Sequence, residues 1–245
     1  MPPEICVRPG ECHVWTARAV SVSEDLAVLL DAGERRVYEA LTGERVRAQY
    51  VTAHALLRTV LGRVLDRDPA SLEFAAGPHG KPYLRDGSVE FSLSHSGELV
   101  AVALALGAPV GVDVERVPEP AAELPLPVLS AEERAVFDRV PGPERSAAFA
   151  AYWVRKEAVL KATGVGLRVD PARLTVSAPE RPAELLGWRG REEAVRAGAG
   201  REEAVPPHPS VRLYDLDAGS GYRGAVALLG GAHRIVPRVV SSVRC

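Results

Sequence analysis

The sequence predicts a mixed α+β chain built from two related halves, and three observations point there. Strand-like hairpins alternate along the 245 residues with long amphipathic helical segments. Two hairpins share one pattern: "VEFSLSHSGELVAVALALG" from Val89 and "VRLYDLDAGSGYRGAVALLG" from Val211. Each is a strand, a polar glycine-containing turn, an apolar strand and a closing Leu-Gly, and each follows a long helix. Between them lies "PEPAAELPLP", Pro118 to Pro127, with the composition of a linker. Two hairpins also come to look alike by chance. If the halves are related, their seam is the natural place for a ligand.

Each element has its own signal. "ECHVWTARAV" reads as a first strand, and Ser21 to Glu24 has the Ser-x-x-Glu spacing of a capping box. "ERVRAQYVTAHALLRTVLGRVL" from Glu44 carries a helical stripe of Tyr50, Ala53, Leu57, Val60, Leu61 and Val64, ended by Asp68-Pro69. "SLEFAAGPHGKPYL" is a short strand and a Gly/Pro turn; "PVGVDVERV" is a strand. "LSAEERAVF" opens a helix with Ser130 and Glu133 as a capping box. The helix of "WVRKEAVLKATG", Trp153 to Gly164, follows and stops near Gly164 and Gly166. "GLRVDPARLTV" suggests a turn and a strand. Residues 178–209 are rich in Pro, Gly and charge, contain "GREEAV" at Gly190 and again at Gly200, and read as an exposed excursion. "HRIVPRVV" is a last apolar stretch.

Composition narrows the function. The chain is 47% hydrophobic and 25% charged with a net charge of -2, so bulk binding to nucleic acid or an anionic membrane is not expected. No apolar run spans a membrane, and "MPPEICVRPG" lacks the regions of a signal peptide. Cys6, Cys12 and Cys245 form no CxxC or Cys/His cluster. A reduced, cytoplasmic protein is expected.

Two patterns are chemically odd. On a helix, Ala150, Trp153, Val154, Ala158 and Leu160 gather on one side, and Tyr152, Arg155, Lys156 and Val159 on the other. Glu157 and Lys161 fall on the first, apolar side. They could be an ordinary surface i,i+4 pair. In "GVDVERV", Asp113 and Glu115 point to one face of a strand. That could be a half-exposed strand, or two adjacent oxygen donors for Mg²⁺ or Mn²⁺. Glu157 would complete the set if its helix crossed the strand, and a cation would then neutralise a carboxylate on an apolar face. Lys81 sits in a Gly/Pro turn whose N–H groups can face a phosphate. Ser94, His95 and Ser96 cluster at a turn. A Ser–His–Asp hydrolase does not fit, because there is no Gly-x-Ser-x-Gly elbow and adjacent Ser94 and His95 diverge on a strand.

In order, "GKP", "FSLSHSG", "GVDVE" and "WVRKEAVLKATGVGL" resemble the 4′-phosphopantetheinyl transferases, specifically the large two-half type that activates carrier proteins of polyketide and nonribosomal peptide synthesis. The likeness is close over residues 33–170. It implies a pseudo-dimer of two similar α+β halves, each an antiparallel sheet on a long helix, divided as 1–117 and 118–245. It implies coenzyme A in the cleft, transfer of its phosphopantetheine arm to a serine of an apo acyl or peptidyl carrier protein, and release of 3′,5′-ADP. By the same resemblance Asp113, Glu115 and Glu157 would bind Mg²⁺, and Lys81, Ser94, His95 and Lys156 would bind the cofactor substrate. Glu157, or a metal-bound water it orients, would accept the serine proton, and Lys161 would stabilise the leaving group. The family often has an arginine where this chain has Gln49; Arg45, Arg47, His54, Arg35 and Arg36 are candidates for the missing charge. If the halves pair within one chain, the protein is a monomer. The competing classes are a Mg²⁺-dependent phosphodiesterase or pyrophosphatase, a non-catalytic binder of coenzyme A or a carrier, and a carrier domain itself, which lacks its Asp-Ser-Leu-like context here.

Overall fold

The computed structural model describes residues 6–19, 24–189, 210–231 and 233–240. The chain is mixed α+β, and its order of elements runs twice. The first run is β1 (Glu11–Arg18), α1 (Glu24–Ala27), α2 (Ala32–Ala40), α3 (Glu44–Leu65), a short hairpin β2 (Phe74–Ala76) and β3 (Pro82–Leu84), and a long hairpin β4 (Glu90–Ser96) and β5 (Leu99–Ala105). The second is β6 (Val110–Arg116), α4 (Ala131–Phe137), α5 (Arg145–Thr163), β7 (Leu174–Val176) and β8 (Leu185–Trp188), then β9 (Val211–Leu216) and β10 (Tyr222–Leu229). A last strand, β11 (Arg234–Val240), follows. One sheet has the order β11-β1-β5-β4 and the other β6-β10-β9. Without β11 the two orders match: the first strand of each run pairs antiparallel with the last, which pairs with its hairpin partner. β11 pairs parallel with β1, Glu11 opposite Arg234.

Sheet membership differs from an expected division after residue 117. β6 ends at Arg116 yet is the first strand of the second sheet, and β11 crosses back to the first. The Pro-rich stretch from Pro118 marks a loop leaving β6, which includes a 3-10 turn at Leu126–Val128. Proline composition reports where backbone pairing stops, not which sheet a strand has joined.

The short helices are set by their caps. The Asp31 side chain accepts from the Gly33 and Glu34 amides, and Glu34 returns a bond to the Asp31 amide. Ser130 and Glu133 form the expected capping box. The box read at Ser21 lies outside the described residues, as do both "GREEAV" copies. The described part of the expected excursion is ordered differently: Leu185–Trp188 is a strand paired with β7.

Both long helices are buried on more than one side. α3 lays Ala53, Leu56, Leu57, Val60 and Leu61 on the first sheet and turns Val51 and Ala55 toward α1 and α2. α5 is buried nearly all round, so its supposedly polar side, Tyr152, Arg155, Lys156 and Val159, is inside. The reason is a second layer: one side of α5 meets β6 and β10, and α4 and β7 also pack on it. Helical periodicity marks a polar stripe, but cannot tell water from a layer that supplies carboxylates and carbonyls.

Those buried cations are saturated. Arg155 forks onto Asp215 at 2.9 and 2.7 Å and donates to the carbonyls of Ser177, Ala178 and Arg181. Lys156 pairs with Glu133 at 2.5 Å and donates to the carbonyls of Val128, Pro171 and Leu174. In the first run Arg58 does the same from α3. It meets the capping-box Glu34 and Asp31 and donates to the carbonyls of Pro69 and Leu72. The accepting carbonyls of Pro69 and Leu72 belong to "DPASL" at 68–72, and those of Pro171 and Leu174 to "DPARL" at 170–174, in which Asp68 and Asp170 each cap a turn. No described helix is long and apolar enough to cross a membrane.

Removing one member of a buried ion pair leaves the other charge uncompensated. Lys156→Ala is therefore expected to cost about 3–5 kcal/mol in denaturant unfolding. A cost under about 1 kcal/mol would mean that the lysine is not the anchor of α4 on α5.

Candidate active site

The site lies where the two sheets meet. β4 and β6 are edge strands of separate sheets. Three serines of β4 join them: Ser92, Ser94 and Ser96 accept from the amides of Val112, Val114 and Arg116 at 3.0, 3.3 and 3.1 Å. Strand alternation puts all three on one side. Two ammonium groups reinforce the seam. Lys161 donates to the carbonyls of Leu93 and Val112, and Lys81 to those of Val110 and Ala162, at 3.0 and 3.3 Å for the latter pair. At the β4–β5 turn, the Glu98 amide donates to the Tyr222 hydroxyl at 2.9 Å.

α5 reaches this seam because residue 111 is glycine. A Cβ at Gly111 would overlap the Ala158 carbonyl oxygen and the Ala162 amide nitrogen. Strand and helix are in backbone contact there, which glycine alone permits. Glu157 and Lys161, on the α5 face toward β6, are thereby brought beside Asp113.

Asp113 is buried. Its Oδ1 accepts from the Ser94 hydroxyl and from Lys161, both at 2.7 Å, and its Oδ2 is buried without a hydrogen-bond partner. Glu157 Oε1 is likewise buried and unpartnered. The Glu157 carboxyl is pushed up to about 7, first by burial and next by the Asp113 charge, against the pull of Lys161. Glu115 Oε1 accepts from Ser96 at 2.6 Å, and burial raises its pKa while that hydrogen bond opposes the shift. Buried carboxylate oxygens with no donor are costly, and a hard cation answers that cost with the donors it prefers. The donor chemistry of Asp113 Oδ2 and Glu157 Oε1 thus fits Mg²⁺ or Mn²⁺. The described residues hold no closed cluster of three or more metal-ligating side chains. The expected three-carboxylate set exists as two orphaned oxygens, with Glu115 alongside on the strand.

A cavity of about 250 Å³ opens between the runs, lined among others by Lys81, Phe91, Glu157, Lys161 and Leu167. Lys81 forms part of its wall, with its ammonium on two carbonyls. His95 stands exposed at the open edge of β4; the protein around it, the Lys161 charge and the His54 charge hold its imidazole below the usual histidine range. The Ser94 hydroxyl is occupied by Asp113 and the Val114 amide. Lys156 departs from expectation. It is fully buried among second-run groups and points away from the cleft. Being adjacent to Glu157 in sequence puts it about 100° round the helix.

Gln49 and four of the first-run basic candidates have partners within that run. Gln49 donates to the Gly97 carbonyl. The Arg47 guanidinium lies over the Tyr38 ring, 4.8 Å from its centroid. His54 bonds to Glu34 at 2.9 Å and stacks on Tyr50. Arg35 and Arg36 donate to the carbonyls of Ala27 and Ala32. Sequence reasoning missed Ser96 as a partner of Glu115, although its alternation with Ser94 in "FSLSHS" was a usable signal.

The site joins buried carboxylate oxygens and an ammonium beside a cavity, and comparison with known proteins shows what the chain is similar to. The model of the 4′-phosphopantetheinyl transferase superfamily matches residues 109–208. The 4′-phosphopantetheinyl transferase HetI of Nostoc sp. is 28% identical over 194 residues, 75% of this chain and 81% of that protein. The 4′-phosphopantetheinyl transferase psf-1 of Bacillus pumilus is 32% identical over 133 residues, 50% of this chain and 57% of that protein. A solved structure, the Chronobacterium ammoniagenes ACPS–CoA complex, overlays 52% of this chain and 99% of its own at 23% identity and a TM-score of 0.39. The chain is thus similar to 4′-phosphopantetheinyl transferases, with the superfamily match lying over residues 109–208.

The raised Glu157 carboxyl has a signed consequence. Its folded value of about 7 exceeds the ordinary 4.5, so between those values the native state holds more protons than the unfolded chain. Its contribution to metal-free stability is therefore greatest at low pH and is lost as pH rises through that window. Glu157→Gln removes the titration. Melting curves at about pH 5 and about pH 8 should show the variant gaining on the wild type at the higher pH. An unchanged gap would remove Glu157 from the buried cluster.

Proposed function

We propose that this chain transfers the 4′-phosphopantetheine arm of coenzyme A to a serine of an apo acyl or peptidyl carrier protein and releases 3′,5′-ADP, with dependence on Mg²⁺ or Mn²⁺. The observation that carries the reading is the pair of buried, unpartnered oxygens on Asp113 and Glu157 beside the Lys161 ammonium, at a cavity between the two runs. Similarity to 4′-phosphopantetheinyl transferases supports the reaction class.

Asp113 Oδ2 and Glu157 Oε1 would hold the cation, with Glu115 as third donor. When bound, it screens the pyrophosphate oxygens. The other oxygen of Glu157, or a water it orients, would accept the proton of the attacking serine. The serine oxygen bonds to the phosphorus that carries the pantetheine arm, and the bond from that phosphorus to the nucleotide phosphate breaks. Negative charge develops on the departing 3′,5′-ADP, and Lys161 is placed to stabilise it. Gly111 sets the distance of both groups from β6, and Phe91 and Leu167 contribute an apolar part of the cavity wall.

We read the repeated order of elements as a pseudo-dimer, divided between β5 and β6, with β11 returned to the first half. The matching sheet orders and the twin Arg58 and Lys156 anchors support it. The cleft then needs no second copy, which supports a monomer, and the net charge of -2 supports a protein that binds neither nucleic acid nor anionic membrane in bulk.

Intact-mass analysis of apo carriers incubated with coenzyme A and Mg²⁺ tests the reaction. Gain of one phosphopantetheine, lost in excess chelator, is the expected result. Turnover of coenzyme A without a carrier would reassign the chain as a hydrolase.

Lys161→Ala in a folded protein should lower transfer by about 10²-fold or more, with coenzyme A binding falling less. Lys161→Arg should not restore it, because a planar guanidinium does not replace a compact ammonium held by Asp113 and two carbonyls. Wild-type turnover in the alanine variant would sink the role.

A further inference from the structure

β6 is an edge strand whose outward amides meet no ladder, and a buried edge must find acceptors. The acceptors of Val112, Val114 and Arg116 are hydroxyl oxygens, not carbonyls. A carbonyl would end the chain of hydrogen bonds there. A hydroxyl that accepts an amide proton still has its own proton to give. Ser94 gives its proton to Asp113 Oδ1 at 2.7 Å, and Ser96 gives its own to Glu115 Oε1 at 2.6 Å. Ser92, one step earlier on the same face, accepts from Val112 but touches no carboxylate.

The backbone of β6 therefore orients each serine, and Ser94 and Ser96 each fix one oxygen of the carboxylate on the residue just before the amide they accept from, Asp113 and Glu115. The consequence shows at Asp113: with Oδ1 saturated by Ser94 and Lys161, Oδ2 is the oxygen left buried and bare. We infer that Ser94 and Ser96 are a positioning pair, which pins one oxygen of Asp113 and of Glu115 and so presents the other to a divalent cation. This rests on the cation reading above, and it moves Ser94 from contacting the substrate to acting through Asp113. Outer hydrogen bonds of this kind typically change metal affinity by about 10- to 100-fold.

Mn²⁺ binding, followed by paramagnetic resonance of the free ion with and without coenzyme A, tests the pair without relying on turnover. Ser94→Ala and Ser96→Ala should each weaken Mn²⁺ binding by about 10- to 100-fold. Ser96→Thr, which keeps the hydroxyl, should bind nearly as the wild type does. Ser92→Ala should lower the melting temperature as much as Ser96→Ala, since both strip an acceptor from a β6 amide, yet leave Mn²⁺ binding unchanged. If the buried Ser94→Ala fails to fold, the half-buried Ser96 carries the test. Wild-type Mn²⁺ affinity in folded Ser96→Ala, or equal weakening in Ser92→Ala, would overturn the positioning role and leave the cation site standing. Absence of Mn²⁺ binding by the wild type in both conditions would overturn the cation site and the pair with it.

Discussion

A single carboxylate in a seam between two sheet edges organises this molecule. Asp113 is buried, and it receives a hydroxyl proton from β4 and an ammonium from α5 on the same oxygen. First sheet, second sheet and long helix therefore converge on one atom. The arrangement tolerates burial of charge only because each group is matched, and it leaves one oxygen unmatched. In a fold of ordinary economy such an atom is rare, and it marks where an ion or substrate must complete the electrostatics.

The same matching recurs at a distance from the site, where it serves structure alone. Arg58 and Lys156 each run from a long helix to the glutamate of a short helix's capping box and to carbonyls of an Asp-Pro-Ala-x-Leu turn. If these cations are aligned, Thr59 stands where α5 has Glu157, and Arg63 where it has Lys161. The scaffold is held alike in both runs, and the carboxylate and ammonium suited to chemistry are carried by the second. A seam between unlike partners can be polarised in this way: the second run supplies the carboxylates and Lys161, the first supplies hydroxyls, Lys81 and a cavity wall.

Close approach has its own cost and consequence. Gly111 forgoes a side chain inside a strand, which weakens the strand by itself, and in exchange the helix backbone lies against it. That contact holds the helix face of Glu157 and Lys161 close to Asp113.

The sequence by itself determined the elements and pointed to the residues of the candidate site. Alternation marked β4, β5 and β6, the 3.6-residue stripe marked α3, Ser130 and Glu133 marked the start of α4, and two carboxylates on one strand face with Glu157 and Lys161 on an apolar helix face marked the site. These are local signals, legible because residue spacing alone sets which side chains share a face. Tertiary structure decided what long-range packing controls. It put β6 in the second sheet and β11 in the first, since strand pairing depends on partners far away in the chain. It buried the polar side of α5, so that Lys156 became an anchor on Glu133 while its neighbour Glu157 entered the cleft. It also occupied Ser94 and Lys81 with hydrogen bonds across the seam, because a buried strand edge must satisfy its amides and carbonyls from whatever lies opposite, and spacing along one strand does not say what that will be.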